Sequence, residues 1–362
     1  MSHPQEIEWE ACMLEPRRDA ELEREVRKAL GLVPPAIPLF APCAWLARAF
    51  VRCNLLLTPL VYAERALVDL ISLAVSQANS CRYCYASQRA LLRIQGFDEE
   101  RIRQLQEAYV GAESDPGERR ALEFARSISR SSPPPSAVER SALREAGFSD
   151  GAIREIAYVA AMTIAANRYT TLPALPLVQV EGLEKRWFIR LLRPVLARLL
   201  RSKTKQGEPE FLPPELRTGP FAYVTLALDG LPVARILRQT LDAAWNSPVL
   251  SQRAKALVFA VVGRGLDSKR SEQEARSLLA PHGLDEGQLD EILSHLASSK
   301  LDPIEAAIVP FARESVHYQP VEIQRRARKL REELGLEPFL ELIGVIGLAN
   351  ATCRLSLALC EG

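Results

Sequence analysis

The 362-residue sequence carries almost no net charge: 46 Lys and Arg stand against 45 Asp and Glu, leaving a formal +1. Without a basic excess it lacks the electrostatic footprint of a nucleic-acid binder, and at 48% hydrophobic residues it is not polar enough to stay disordered. It has no uncharged apolar run of the ~20 residues that a membrane span needs. The first residues, MSHPQEIEWE, are acidic and lack an apolar core, so no secretory signal is expected and the protein is placed in the cytoplasm. No glycine fingerprint follows a strand and no phosphate loop is present; no haem, flavin or metal motif appears, and no cofactor is expected. Convincing period-two alternation is missing as well, and with it the case for a sheet.

What remains is helix-forming sequence. Ala66, Leu67, Leu70, Ile71, Ala74, Val75 and Ala78 fall on one helical stripe, and Ile153, Ile156, Ala157, Ala160, Ala161 and Ile164 on another. Pro34-Pro35, Pro133-Pro134-Pro135 and Pro213-Pro214 each forbid a helix interior and punctuate the chain. The expected class is all-α, and the length suits two domains of ~100 to 200 residues.

Those two domains have a common pattern. Adding 187 to positions 89–126 lays them on 276–313 without a gap, and twelve of 38 columns are identical, among them Gly96 with Gly283, Asp115 with Asp302 and Phe124 with Phe311. Gly96 and Gly283 are expected as helix C-terminal caps, Asp98 and Asp285 as caps of the helices that follow. The reading is two homologous all-α halves in tandem, 1–182 and 207–362, joined by a linker at 183–206. Eight Lys or Arg and no acid lie between Lys185 and Lys205. That segment reads as a linker helix packed through Leu191, Leu192, Val195, Leu196 and Leu199; the alternative is a basic amphipathic helix on an anionic surface, which Pro194 disfavours.

Seven cysteines, an odd number at irregular spacing, are no disulfide scaffold. Only Cys81 and Cys84 form a motif. With Asn79 or Ser80 as cap, Cys81 falls in the first turn of a helix, Cys84 one turn later and Gln88 one turn beyond, all on one face. Unpaired N–H groups and the positive end of the helix dipole favour thiolate there, and Arg82 adds charge of the same sign. The chemistry expected is thiol–disulfide exchange or attack on a peroxide, with the second thiol resolving a sulfenic acid. A CxxC is also half a zinc site, but no second CxxC or close His pair completes it, and the next histidine after His3 is His282. Two buried structural cysteines are the other plain reading.

The Cys81-x-x-Cys84 pair at a helix start, preceded by LISLAVSQANS, resembles the carboxymuconolactone decarboxylase and alkylhydroperoxidase AhpD superfamily. The peroxidase branch of that family places a carboxylate twelve residues before the first cysteine and a histidine four residues after the second. The corresponding positions hold Asp69 and Gln88. By the resemblance, Cys84 attacks the peroxide, Cys81 resolves it and Asp69 belongs to a proton relay. Gln88 cannot take the proton that a histidine would, and Glu64 is the candidate replacement base. Asp69 also reads as a surface acid, solvated or paired with Arg65, with Arg65, Ser72 and Ser76 on the same polar stripe opposite the apolar one.

The second half puts Ser268, Ser271, Ala275 and Ala256 where the first has Cys81, Cys84, Gln88 and Asp69, so no thiol chemistry survives there. It is expected to be a structural partner. His282, His295 and His317 are expected in surface or cap roles, with a loan of an imidazole across the interface as the alternative. Cys353 and Cys360 read as core residues. The resemblance implies a thiol-dependent oxidoreductase that reduces hydroperoxides or disulfides, with a lipoyl or thioredoxin-type dithiol as reductant. It also implies a homo-oligomer, either a trimer that is a pseudo-hexamer or a dimer. Two alternatives stand beside it: a redox-responsive or structural oligomer without turnover, and a lactone decarboxylase-like enzyme, which relies on His and Arg.

Overall fold

In the computed structural model, residues 8–52, 58–97, 100–102, 115–177 and 207–361 are described, and none of them lies in a β-strand. The all-α expectation holds. The helices of the first half are α1 Ala20–Leu30, α2 Ile37–Phe40, α3 Ala44–Arg52, α4 Arg65–Ala78, α5 Arg82–Gln95, α6 Pro116–Arg130, α7 Ala137–Glu145 and α8 Asp150–Thr171. Those of the second are α9 Ala222–Ala227, α10 Pro232–Asn246, α11 Gln252–Leu266, α12 Lys269–Leu279, α13 Glu286–His295, α14 Pro303–Glu314, α15 Pro320–Leu334 and α16 Leu336–Leu359.

Helix ends fall where side chains can satisfy the free backbone groups. Asp302 and Glu305 form a reciprocal capping box at α14, as do Ser136 and Glu139 at α7. Asp285 caps α13, and its box partner is Gln288. Gly96 ends α5 at φ 112°, a left-handed backbone that only glycine adopts without strain. Gly283, at φ 74°, does the same for the short 3₁₀ turn after α12. Asp98 and the basic segment 185–205 lie outside the described residues. Helices α4 and α11 begin 187 residues apart, at Arg65 and Gln252; so do α5 and α12, at Arg82 and Lys269, and α6 and α14, at Pro116 and Pro303.

Helices α8 and α16 are apolar on almost every side and lie against each other, as such helices must when buried. By length and mean hydropathy (1.7), α16 could cross a membrane, but 94% of its apolar window is covered by the rest of the chain, which makes it a core helix. Gly347 lets the Tyr169 ring lie directly on α16, and Gly344 does so for Trp45. Around this pair the buried apolar residues form one continuous core that runs from Met13 to Ala358.

Two carboxylates reach back from these helices to organise the starts of their neighbours. Glu155 of α8 accepts the N–H groups of Val61, Tyr62 and Ala63 at 2.6, 2.8 and 2.7 Å, which fixes the entry to α4. Glu341 of α16 accepts the N–H of Leu250 at 3.1 Å, ahead of α11, and pairs with buried Lys255 at 2.9 Å. Two arginines tie the halves together. Arg168 of α8 donates to the carbonyls of Ser315 and Val316 beyond α14, while Arg354 of α16 donates to the Ser129 carbonyl in the last turn of α6 and also to Val316. Both are fully buried, and among the described residues neither pairs with a carboxylate. The negative ends of the α6 and α14 dipoles supply the compensation.

Candidate active site

Helix α5 starts at the thiols because Cys81 is itself the N-cap: its backbone is extended (φ −83°, ψ 96°) and its Sγ accepts the Cys84 N–H at 3.4 Å. This corrects the expectation that Asn79 or Ser80 caps the helix. Ser80 takes a left-handed turn at φ 52°, and the Asn79 side chain is used elsewhere. Its amide donates to the Val75 carbonyl and to Ser129 Oγ, and its Oδ1 accepts from Arg168 Nη1 at 2.5 Å. The second half closes over this turn: Tyr318 Oη donates to the Asn79 carbonyl at 3.0 Å, with Arg168 stacked on the Tyr318 ring.

Both thiols are free and enclosed; Cys81 has no exposed surface and Cys84 retains 9%. A single hydroxyl touches them both. Thr170 Oγ1, in the last turn of α8, lies 3.2 Å from Cys81 Sγ and 3.3 Å from Cys84 Sγ. Burial alone would push Cys81 up, but hydrogen bonds from the Cys84 thiol, from Thr170 and Thr171 and from the Cys84 N–H outweigh it and bring the group down to about 7. Burial and the neighbouring Cys81 hold Cys84 well above the ordinary thiol value. Burial pushes Cys43 and Cys353 to about 12 and Cys360 to about 11, so among the described cysteines Cys81 alone is lowered. Of the pair, Cys81 is thus the thiol favoured for ionisation, while the resemblance makes Cys84 the attacking one.

The other expected site residues are dispersed. Gln88 sits one turn past Cys84, and its Oε1 is buried and accepts no hydrogen bond among the described residues. Asp69 is fully buried; Arg65 bonds it at 2.9 and 2.5 Å, and Gln95 Nε2 donates to it as well. Burial raises its carboxyl, with Arg65 and Gln95 opposing. Since Gln95 closes α5 eleven residues beyond Cys84, Asp69 lies level with the far end of that helix, roughly 16 Å along the axis. Glu64 is exposed and precedes α4, roughly 20 Å from the end of α4 that leads into the thiol turn. Neither acid touches a thiol. Ser72 and Ser76 share Asp69's stripe as expected, but they are buried: Thr163 donates to Ser72 at 3.4 Å, and Asn167 Nδ2 to Ser76 at 3.1 Å. Helix α8 thus presents a polar edge to α4.

That edge holds the residues that sequence reasoning missed. Thr170, Thr171 and Asn167 belong to the run Asn167–Thr171, a polar stretch ending an otherwise apolar helix, and that contrast was the available signal. His317 does not replace the missing imidazole. It lies at the surface as expected, and partial desolvation with the charges of Arg354, Arg168 and Arg313 brings it down to about 4, leaving an uncharged and weak base at neutral pH. His282 and His295 are exposed.

In the second half, Ser268 and Ser271 bond each other at 2.8 Å, and Tyr223 Oη lies 2.8 Å from Ser271 Oγ. Ser268 also donates to Glu361 at 2.6 Å, and Ser356 bonds the same carboxylate. This is a closed hydroxyl network whose members satisfy one another.

Among the described residues no cluster of three or more His, Cys, Asp or Glu converges as a metal site would require. No curated protein and no solved structure matches the chain. The model of the carboxymuconolactone decarboxylase family matches residues 62–127, a span that begins just before α4 and contains the thiol turn. The likeness of this chain to that family lies in this segment.

Proposed function

We propose that this protein is a thiol-dependent oxidoreductase that reduces hydroperoxides through the Cys81–Cys84 dithiol and is returned to the dithiol by a lipoyl or thioredoxin-type donor. The observation that carries this reading is the pair itself: two free thiols on one hydroxyl at a helix N-terminus, one lowered to about 7 and the other kept protonated. A thiolate beside a thiol is the starting state for forming a disulfide at the expense of an oxidant. The second half is a diverged copy of the first in this reading. Its supports are the 187-residue offset shared by residue types and helix starts, and the serines in the thiol positions. It serves as the partner surface against which α8 and the thiol turn are held.

Peroxide-dependent oxidation of excess dihydrolipoamide tests the reading, with organic hydroperoxides and with wild type and Cys84→Ser side by side. Turnover in wild type that is lost in the variant is the expected result. A specific observation favours a second reading, a redox-responsive protein without turnover: Asp69 is occupied by Arg65 and Gln95 away from the thiols, and Gln88 is no base. A disulfide that forms in wild type with no catalytic consumption of dihydrolipoamide would select that reading.

A further inference from the structure

Two demands on the thiol pair point to different cysteines. The helix end and the Cys84 N–H favour the anion at Cys81. The small difference in exposure favours Cys84, since residue 84 keeps 9% of its surface and residue 81 none. The less enclosed residue is then the one whose sulfur still holds its proton. Gln88, one turn away, cannot remove that proton, and Asp69 and Glu64 are turned to other parts of α4.

One group is in place to do so. Thr170 Oγ1 is within 3.3 Å of both sulfurs, and its other partners among the described residues are the Ala166 and Asn167 carbonyls. Residue 170 is fully buried, and a 3.0 Å bond to the Ala166 carbonyl steadies its hydroxyl. A hydroxyl has one proton to give and two lone pairs to receive with, so Thr170 can accept from one sulfur, and turning its proton from the Ala166 carbonyl to the other sulfur lets it donate there.

We propose that Thr170 is a catalytic residue of this site, passing the Cys84 proton to the Cys81 thiolate and so moving the nucleophile from the enclosed sulfur to the reachable one. The proposal rests on the reading of the pair as redox active. In the first step the Cys84 S–H proton goes to Thr170 Oγ1 as the Thr170 proton goes to Cys81, leaving Cys84 thiolate and Cys81 thiol. With a hydroperoxide, Cys84 Sγ then bonds the terminal oxygen, the O–O bond breaks, and the departing alkoxide takes the Cys81 proton through Thr170. The Cys81 thiolate so formed attacks the Cys84 sulfenic acid, the S–S bond closes and hydroxide leaves. Two electrons pass from the dithiol to the peroxide, which becomes one alcohol and one hydroxide.

The test uses the reduced full chain as wild type, Thr170→Val and Thr170→Ser. Iodoacetamide labelling of Cys84, assigned by mass spectrometry, is followed between pH 6 and 9, and single-turnover oxidation by tert-butyl hydroperoxide is followed beside it. Thr170→Val is expected to slow both by about a hundredfold near pH 7, the low end of what a positioned proton carrier contributes, while Thr170→Ser stays within about twofold of wild type. A valine variant as fast as wild type, or a serine variant as slow as valine, overturns the proposal. Should the valine variant not fold, Thr170→Ala and a proton inventory on wild-type labelling in mixed H₂O and D₂O take its place; two protons in flight bow the plot, and a straight line overturns the idea. If wild type resists the peroxide but its labelling still depends on Thr170, the proton carrier stands and the peroxidase reading falls.

Discussion

At the scale of single residues, the decisive contrast is between two cysteines three positions apart. Both are enclosed, yet the N-cap position gives Cys81 donors that Cys84 lacks, and their ionisation separates accordingly. The sign of the linkage follows. A thiol at 9.0 when unfolded and at about 7 when folded adds stability that is absent below about pH 7 and grows as pH rises toward 9. Wild type should therefore gain in urea midpoint relative to Cys81→Ser across that window, and equal pH dependence of the two would remove the lowered thiol from the account. Cys353→Ser and Cys360→Ser should leave the redox chemistry untouched, because those thiols are held at about 12 and 11. The sequence made this motif legible, since CxxC after a capping-type turn is a local signal. It could not show which neighbour completes the site, because Thr170 arrives from 86 residues away.

Among the elements, α8 and α16 determine the architecture. They approach closely because Gly347 leaves room for the Tyr169 ring, and a methyl group there would enter the ring itself. Gly347→Ala pits two effects against each other. Helix propensity gains ~1 kcal/mol, whereas overpacking a ring held between two long helices costs ~1–3 kcal/mol and in so confined a place reaches the upper end. The net expectation is a loss of about 2 kcal/mol, read from the shift in urea midpoint; a more stable variant would mean that the ring yields freely. The helices themselves were readable from periodicity and from caps such as Asp285 and Gly96. The burial of Asp69, Ser72 and Ser76 was not, because their stripe looks solvent-facing until α8 supplies Thr163 and Asn167 to meet it.

The whole molecule behaves as one unit because its two halves share a core and exchange buried arginines. Arg168 and Arg354 each satisfy carbonyls of the opposite half, so separating the halves would strand both charges and the acceptors they serve. Residues 1–182 and 207–362, produced separately, should each fail to give a dispersed amide NMR spectrum, since each would expose one of the two central helices. A well-dispersed spectrum from the first fragment alone would show that the thiol turn needs no support from Tyr318 and the Ser315–Val316 carbonyls.

The sequence by itself determined the helical class, the punctuation of its helices, the 187-residue internal offset and the presence of a CxxC at a helix start. All of these are local or periodic signals, written in residues that are near one another or regularly spaced. Tertiary structure decided that Cys81 is the cap, that Asp69 is committed to Arg65 and Gln95, and that Thr170 bridges the thiols. Those outcomes depend on which helix packs on which and at what height. Pairing of that kind is fixed by the burial of the α8 and α16 faces, a property of the folded chain rather than of any short stretch of it.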